Sequence, residues 1–333
     1  MSVDASIAEF VVGAVVCLGT SWLLVTRLER VGERFGFSEA LLGMLAALAA
    51  DTPEITAATT ALRSHERAVG AGVVIGSNVF NLAALLGLGA VVAGRLGLHR
   101  KVVLLGGAVG LWMATVCLVT VEKVIDPAAG FGLALTVLAA YLFVLGARRT
   151  GLRRLPLPRR WMAWVASAVD EEELELDVAI RPKRGRPQDA LVALGALVVV
   201  VAAAVSMERG ASALGHRYAV PGIVVGGLVL AAVTSLPNAV AAVYLAAKGR
   251  GAAAFSTALN SNTLNLVAGL LLPATFIGLG TASGQTSLIT GAYLGLTALT
   301  LGLAYAGRGL RRWAGWVIIA GYGAFVVGIL AVS

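Results

Sequence analysis

The sequence predicts an all-α membrane protein of ten transmembrane helices in two inverted five-helix repeats, and three observations carry that expectation. Of the 333 residues, 58% are hydrophobic and only 13% charged, with a mean hydropathy of +0.87, far more apolar than a water-soluble domain of this length requires. Apolar stretches able to cross about 30 Å of hydrocarbon lie near 8–26, 38–62, 69–93, 101–121, 128–147, 189–207, 219–247, 251–274, 286–306 and 313–332. A segment that starts at Gly43 recurs from Gly227 at a constant offset of 184 positions, pairing Pro53 with Pro237, Ser77 with Ser261, Asn78 with Asn262 and Asn81 with Asn265. An odd number of spans per half makes the second copy enter the membrane from the opposite side, so the repeats are inverted. Duplication with helix-breaking prolines at matching places in two hydrophobic halves points to a substrate site where the repeats meet.

In the first half, 1–147, the opening MSVDASIAEF has no basic n-region, so the first span reads as a retained helix and not as a cleaved signal. The second span carries Asp51, Pro53 and Glu54; its length and its proline make it a tilted or broken helix. The third holds Gly76, Ser77, Asn78 and Asn81. Cys17 and Cys117 fall inside spans with no metal-ligand spacing and read as buried apolar-like residues. Glu9, Glu39, Glu122, Asp126, Asp189 and Glu208 are expected near span ends, within reach of water. The second half, 189–333, repeats the pattern, with Thr234, Ser235, Pro237 and Asn238 in its second span and Ser261, Asn262 and Asn265 in its third.

The halves are joined by 148–188, the one long hydrophilic segment. Arg159, Arg160, Trp161 and Trp164 beside a short apolar run fit a place at the lipid interface. The acidic run Asp170, Glu171, Glu172, Glu173, Glu175 and Asp177 reads as a solvated linker; calcium binding is the alternative, although the spaced oxygen ligands and turn glycine of an EF-hand loop are missing. If 148–188 is cytoplasmic, 21 of the 26 Lys and Arg lie in inside loops and 5 outside. The positive-inside rule then puts both termini outside the cytoplasm, in a bacterial-type plasma (inner) membrane. That bias accounts for the net charge of +8 without a nucleic-acid partner.

Carboxylates deep in apolar spans are costly and functional by default. Two are deep here, Asp51 and Glu54, three apart and so on one helix face; Pro53 between them frees backbone carbonyls to act as oxygen ligands. Ser77, Asn78, Asn81, Thr234, Ser235, Asn238, Ser261, Asn262 and Asn265 add neutral oxygens. A set rich in oxygen, without imidazole or thiolate, suits a hard cation such as Ca²⁺ or Na⁺ and argues against zinc or copper. Any one Ser or Asn could be packing glue between helices, but two buried carboxylates facing two matched polar sets exceed what glue requires.

The pattern resembles the paired repeats of the cation/calcium antiporter superfamily, which includes the sodium/calcium exchangers and in which each repeat carries G-T-S-x-P-E followed by G-S-N-x-x-N or G-S-N-x-x-D. IGSNVFN at 75–81, TPE at 52–54 and TSLP at 234–237 carry the likeness. It implies ten spans in a five-plus-five inverted architecture and exchange of Ca²⁺ for Na⁺ or H⁺ by alternating access. The ions would be held at Glu54, Asn81, Asn238 and Asn265, with oxygens from Ser77, Thr234, Ser235 and Ser261. The departures are specific. Ala49, Ala50 and Asp51 stand for Gly-Thr-Ser, Val233 for the second motif's first glycine, Asn260 for the glycine of the second G-S-N, and Asn238 for the second glutamate. Two opposed glutamates thus become Glu54 plus Asp51 on one helix, which keeps the formal charge near minus two but leaves it lopsided. Glu54 is expected to be the essential anionic ligand, with Asp51 a second anion or a proton acceptor.

Loss of the second glutamate keeps a monovalent Na⁺/H⁺ or K⁺/H⁺ antiporter open as the alternative. An intramembrane enzyme is the competing class, but with no HExxH, no GxSG and no second deep aspartate in another span, neither a metalloprotease nor an aspartyl dyad can be assembled. A channel would build its filter from a symmetric ring, which a two-fold pocket is not. Inorganic cations and the bilayer are the expected partners, with no resident cofactor, and nothing in the sequence sets the oligomeric state. The 21-to-5 charge division predicts that a cysteine introduced near Glu173 resists impermeant thiol reagents applied to intact cells; rapid labelling there would reverse the orientation.

Overall fold

The computed structural model describes residues 2–35, 39–146, 164, 167, 185–281 and 283–332. The acidic run 170–177 and Arg159, Arg160 and Trp161 lie outside the described residues. The first half consists of α1 (Val3–Arg34), α2 (Glu39–Ala50), α3 (Thr52–Arg63), α4 (Arg67–Ala93), a short strand β1 (Arg95–Gly97), α5 (Arg100–Val121) and α6 (Pro127–Gly146). The second consists of α7 (Pro187–Arg217), α8 (Gly222–Thr234), α9 (Leu236–Ala247), the helical run 251–277 termed α10, α11 (Gly284–Gly307), β2 (Gly309–Arg311) and α12 (Arg312–Val332).

Among the described residues, seven helices are long and apolar enough to cross a membrane: α1, α4, α5, α6, α7, α11 and α12. The bent pair α8 and α9 adds an eighth. The α2–α3 pair and α10 are not among them; in α10, Asn260, Asn262 and Asn265 lower the apolar average.

The 184-residue offset seen in the sequence extends to the helices. Shifted by it, α1 falls on α7, the α2–α3 pair on α8–α9, the start of α4 on the start of α10, α5 on α11 and α6 on α12. The second spans of the two halves, α2–α3 and α8–α9, also share a local break. Proline lies two residues after each break, so Pro53 has no N–H to offer the carbonyl of Ala49, nor Pro237 that of Val233. Asp51 takes φ −82, ψ −4 and Ser235 φ −81, ψ −4, two residues 184 apart in one conformation. The chain bends by 49° at the second break. A π-helical turn follows each Ser-Asn motif, Leu82–Leu88 in α4 and Asn265–Leu271 in α10, a distortion often found beside functional sites.

α1 and α7 pack along their length. Gly13 faces Ala203 and Met207, Gly210 faces Ser6 and Phe10, the Cys17 thiol lies 3.9 Å from the Val200 carbonyl, and Arg27 pairs with Asp189. Rising numbers on one helix meet falling numbers on the other, so the pair is antiparallel. Its 32 residues make α1 roughly 48 Å long, well beyond the hydrocarbon thickness. Cys17, Leu24, Ala196, Val200 and Ala204 form an apolar cluster separate from the main core and joined by Ala49.

The centre is set by α4. Its apolar window is 89% buried, against 22–44% for the other candidate spans, so α4 is enclosed by protein while the others turn a face outward. Large apolar side chains such as Val12, Val15, Trp22, Leu191 and Val198 are exposed on that outside, as a lipid-facing surface requires. Enclosure comes with close backbone approach: a Cβ on Gly76 would strike the backbone of Gly227, and one on Gly226 that of Val69.

One expectation fails. Glu208 is not at a wet span end but buried, 1% exposed, where its carboxylate accepts from the Ser212 hydroxyl at 2.9 Å. Asp189 is also buried, between Arg27 and Arg30. The span expected to stop at 207 continues as helix to Arg217 and packs along α1, so Glu208 lies inside a covered helix, while Asp189 in the first turn is covered by the arginines of α1.

Gly76→Ala should destabilise the folded protein by about 1–3 kcal/mol, the usual cost of overpacking, because rigid backbone blocks the new methyl. Gly291→Ala, which meets nothing within 4 Å, serves as the control. Thermal unfolding in detergent compares the two, and equal midpoints would refute the contact.

Candidate functional site

Two broken helix pairs and two Ser-Asn helices converge on one buried cluster. Asp51, Glu54, Ser77, Asn81, Ser235, Ser261 and Asn265 are each 0% exposed, and Thr234 and Asn238 no more than 2%. Each break places an oxygen-bearing residue at the junction, Asp51 before α3 and Ser235 before α9, and another three positions on, Glu54 and Asn238.

Hydrogen bonds tie the two halves together. The Ser235 hydroxyl donates to Glu54 Oε1 at 3.0 Å. The Asn238 amide donates to Asp51 Oδ1 at 2.7 Å, and the Ser261 hydroxyl donates to the same oxygen at 2.6 Å. Asn81 donates to Ser261 Oγ at 3.1 Å and to Asn262 Oδ1 at 3.0 Å. The Asn238 amide also reaches Ser261 Oγ at 3.3 Å.

These bonds overturn the lopsided charge expected from the sequence. Residues 51 and 235 are equivalents under the 184 offset, and so are 54 and 238. The pair Asp51–Asn238 is therefore the counterpart of the pair Glu54–Ser235, with its members' roles exchanged. Each pair contains one carboxylate. Asp51 extends into the second half and puts its charge beside the position where the resemblance expects a glutamate, so the charges are distributed evenly between the two pairs.

The remaining predicted residues divide. Ser77 and Asn81 are one turn apart on α4, as are Ser261 and Asn265 on α10, which puts each couple on one face. Thr234 turns its hydroxyl back to the Leu230 carbonyl at 2.9 Å, leaving its oxygen lone pairs as acceptors. Asp51 Oδ2, Glu54 Oε2, Ser77 Oγ, Asn81 Oδ1 and both amide atoms of Asn265 are buried with no hydrogen-bond partner. Buried polar atoms are nearly always partnered, so this concentration of unmatched oxygens around two carboxylates fits a hard cation. Among the described residues no group of three or more His, Cys, Asp and Glu is assembled; neutral amides and hydroxyls make up the remainder.

Asn78 and Asn262, counted among the neutral oxygens from the sequence, take a different role. The Asn78 amide donates to the Asn262 carbonyl at 3.0 Å, and the Asn262 amide to the Asn78 carbonyl at 3.1 Å. Such reciprocity is the mark of a two-fold relation, and it fixes α4 against α10 at the centre of the cluster. Their signal in the sequence was the middle residue of a doubled Ser-Asn motif, which shows recurrence but not which atom is touched.

The model of the sodium/calcium exchanger protein family matches this chain over residues 5–148 and 189–331. The chain belongs to that family. It is accordingly a multi-pass integral membrane protein. The putative antiporter CaxA of Alkalimonas amylolytica is 34% identical over 84 residues, 25% of this chain and 26% of that protein, so the match spans about a quarter of each. The inner membrane protein YrbG of Escherichia coli strain K12 is 24% identical over 270 residues, 80% of this chain and 78% of YrbG. The crystal structure of the H⁺/Ca²⁺ exchanger CAX superposes with a TM-score of 0.73 at 13% identity, over 98% of this chain and 82% of CAX, a likeness of fold.

If the two pairs are equivalent, their charge can be transposed. Asp51→Ser should weaken cation-induced thermal stabilisation at least about ten-fold in apparent affinity, the factor that ~1.4 kcal/mol carries. Asn238→Glu alone should also perturb it, because a third carboxylate then lies within hydrogen-bond reach of Asp51 and the two resist joint ionisation. Asp51→Ser combined with Asn238→Glu should recover most of the affinity. A double variant no better than the worse single one would disprove the equivalence.

Proposed function

We propose that this exchanger-family protein is a secondary-active antiporter that exchanges Ca²⁺ for Na⁺ or H⁺ by alternating access. The observation that supports it most directly is the pair of fully buried carboxylates, each hydrogen-bonded across the boundary between halves and each keeping one oxygen unpartnered. Ca²⁺ takes 6–8 oxygen ligands. Asp51, Glu54, Ser77, Asn81 and Asn265 provide unpartnered oxygens, and Thr234, Ser235, Asn238 and Ser261 complete the set. Glu54 is the essential anion and Asp51 the second.

Coupling follows from competition. A site that must be occupied to reorient links the flux of whichever ions compete for it. The α1–α7 pair, held by its own apolar cluster, is the body placed to move against the rest; Ala49, which joins that cluster, is two residues from Asp51. The helix order supports ten spans in two inverted repeats, the α2–α3 pair and α10 completing the eight assigned by length and composition. The charge bias supports a plasma-membrane location with the linker cytoplasmic and both termini outside.

A monovalent Na⁺/H⁺ or K⁺/H⁺ exchanger is the second reading, favoured by the neutral Asn238 and Asn265. Reconstituted vesicles separate the two. An imposed Na⁺ or H⁺ gradient should drive isotopic calcium uptake, and Glu54→Gln should abolish it while leaving the protein folded in the membrane. Gradient-driven Na⁺ or K⁺ exchange indifferent to calcium would establish the second reading, and full calcium flux in Glu54→Gln would remove Glu54 from the site.

A further inference from the structure

Two basic loops far apart in sequence are joined by the β1–β2 ribbon, in which Arg95 faces Arg311, Leu96 faces Leu310 and Gly97 faces Gly309. The ribbon gathers Arg95, Arg308, Arg311 and Arg312 at the ends of α4 and α12. A pocket of about 600 Å³ opens there, lined by Gly94, Arg95, Arg311, Arg312, Trp313 and Trp316, within the size range of small-molecule sites. Two of the arginines are braced by backbone: Arg95 donates to the Arg308 carbonyl at 3.3 Å, and Arg312 Nε to the Val91 carbonyl at 3.1 Å. Among the described residues none of the four pairs with a carboxylate. A braced guanidinium without an acid keeps N–H donors for an external anion, in the fork geometry that suits phosphate.

The rim of the pocket indicates where that anion comes from. Trp313 and Trp316 are each 57% exposed, and Val92 and Val317 beside them are also open. Tryptophan and arginine at the end of an apolar span mark the headgroup level of a bilayer, and a water-borne anion has no use for an apolar rim. The charge bias places this end on the cytoplasmic side, where anionic lipids meet basic pockets between helices. We propose that this pocket is a binding site for one anionic phospholipid, its phosphate held by Arg95, Arg311 and Arg312 and its glycerol and upper acyl chains lying along Trp313 and Trp316. The site is separate from the cation cluster and does not depend on which ions the protein exchanges.

The test uses the full chain in phosphatidylcholine vesicles doped with brominated phosphatidylglycerol, or with brominated phosphatidylcholine plus unlabelled phosphatidylglycerol. The fluorescence lost in a Trp313→Phe, Trp316→Phe variant isolates the two reporters. Brominated phosphatidylglycerol should quench that component more than brominated phosphatidylcholine does. Arg311→Gln, at a side chain with no hydrogen bond to lose, should cut the preference about five-fold, the factor expected per arginine near an anionic surface, and adding Arg95→Gln should cut it further. Arg311→Lys, which keeps the charge, should retain most of it. Equal quenching by the two brominated lipids, or a preference that survives both glutamine substitutions, overturns the proposal. So does suppression of the preference by inorganic phosphate alone, which would identify a site for free anions.

Discussion

A carboxylate taken out of water must be met by hydrogen bonds or opposite charge, and in this chain both deep carboxylates are met from the other half. Ser235 reaches Glu54, while Asn238 and Ser261 reach Asp51. That requirement governs the surrounding architecture. The halves must approach to hydrogen-bond distance at the centre, so α4 carries glycine where it meets Gly227 and Val69 is met by Gly226. The helices must also present their oxygens inward at an interruption, so each half breaks at the residue two positions before a proline. The Asn78–Asn262 exchange of amide bonds holds the register in which these contacts form.

Much of this was legible beforehand because duplication leaves a spacing that survives without any alignment. The constant offset located the motifs, the prolines located the breaks, and the scarcity of deep acids singled out Asp51 and Glu54. What the sequence could not show is direction. From spacing, residues 51 and 54 share a helix face, and their charges therefore look one-sided. Only the crossing of chains reveals that Asp51 extends into the second half and stands in for the missing acid at 238. Glu208 failed for a related reason: the apolar run stops near 207 but the helix continues to Arg217 with α1 alongside.

The arginine pocket illustrates the same limit in reverse. Arg95 and Arg311 each look like an ordinary loop charge whose role ends with setting topology. Three residues of strand pairing place them in one patch beside two tryptophans, and a statistical bias in loop composition becomes a shaped surface. Topogenic charge and ligand chemistry are thus not competing explanations for the same residue.

The transposed pair has a consequence for the origin and autonomy of the halves. Suppose two copies of the first half were assembled about the two-fold relation that Asn78 and Asn262 display. Every pair would then join an aspartate to a glutamate, four acids in one dry cavity, and mutual repulsion would oppose closure. Two copies of the second half would join serine to asparagine throughout and hold no anion at all. Only the mixed assembly carries two. Asp51 and Asn238 therefore favour the pairing of unlike halves over self-pairing, by repulsion in one case and absent charge in the other. The two halves, alike in the spacing of their motifs, are complements in charge and not copies of one another.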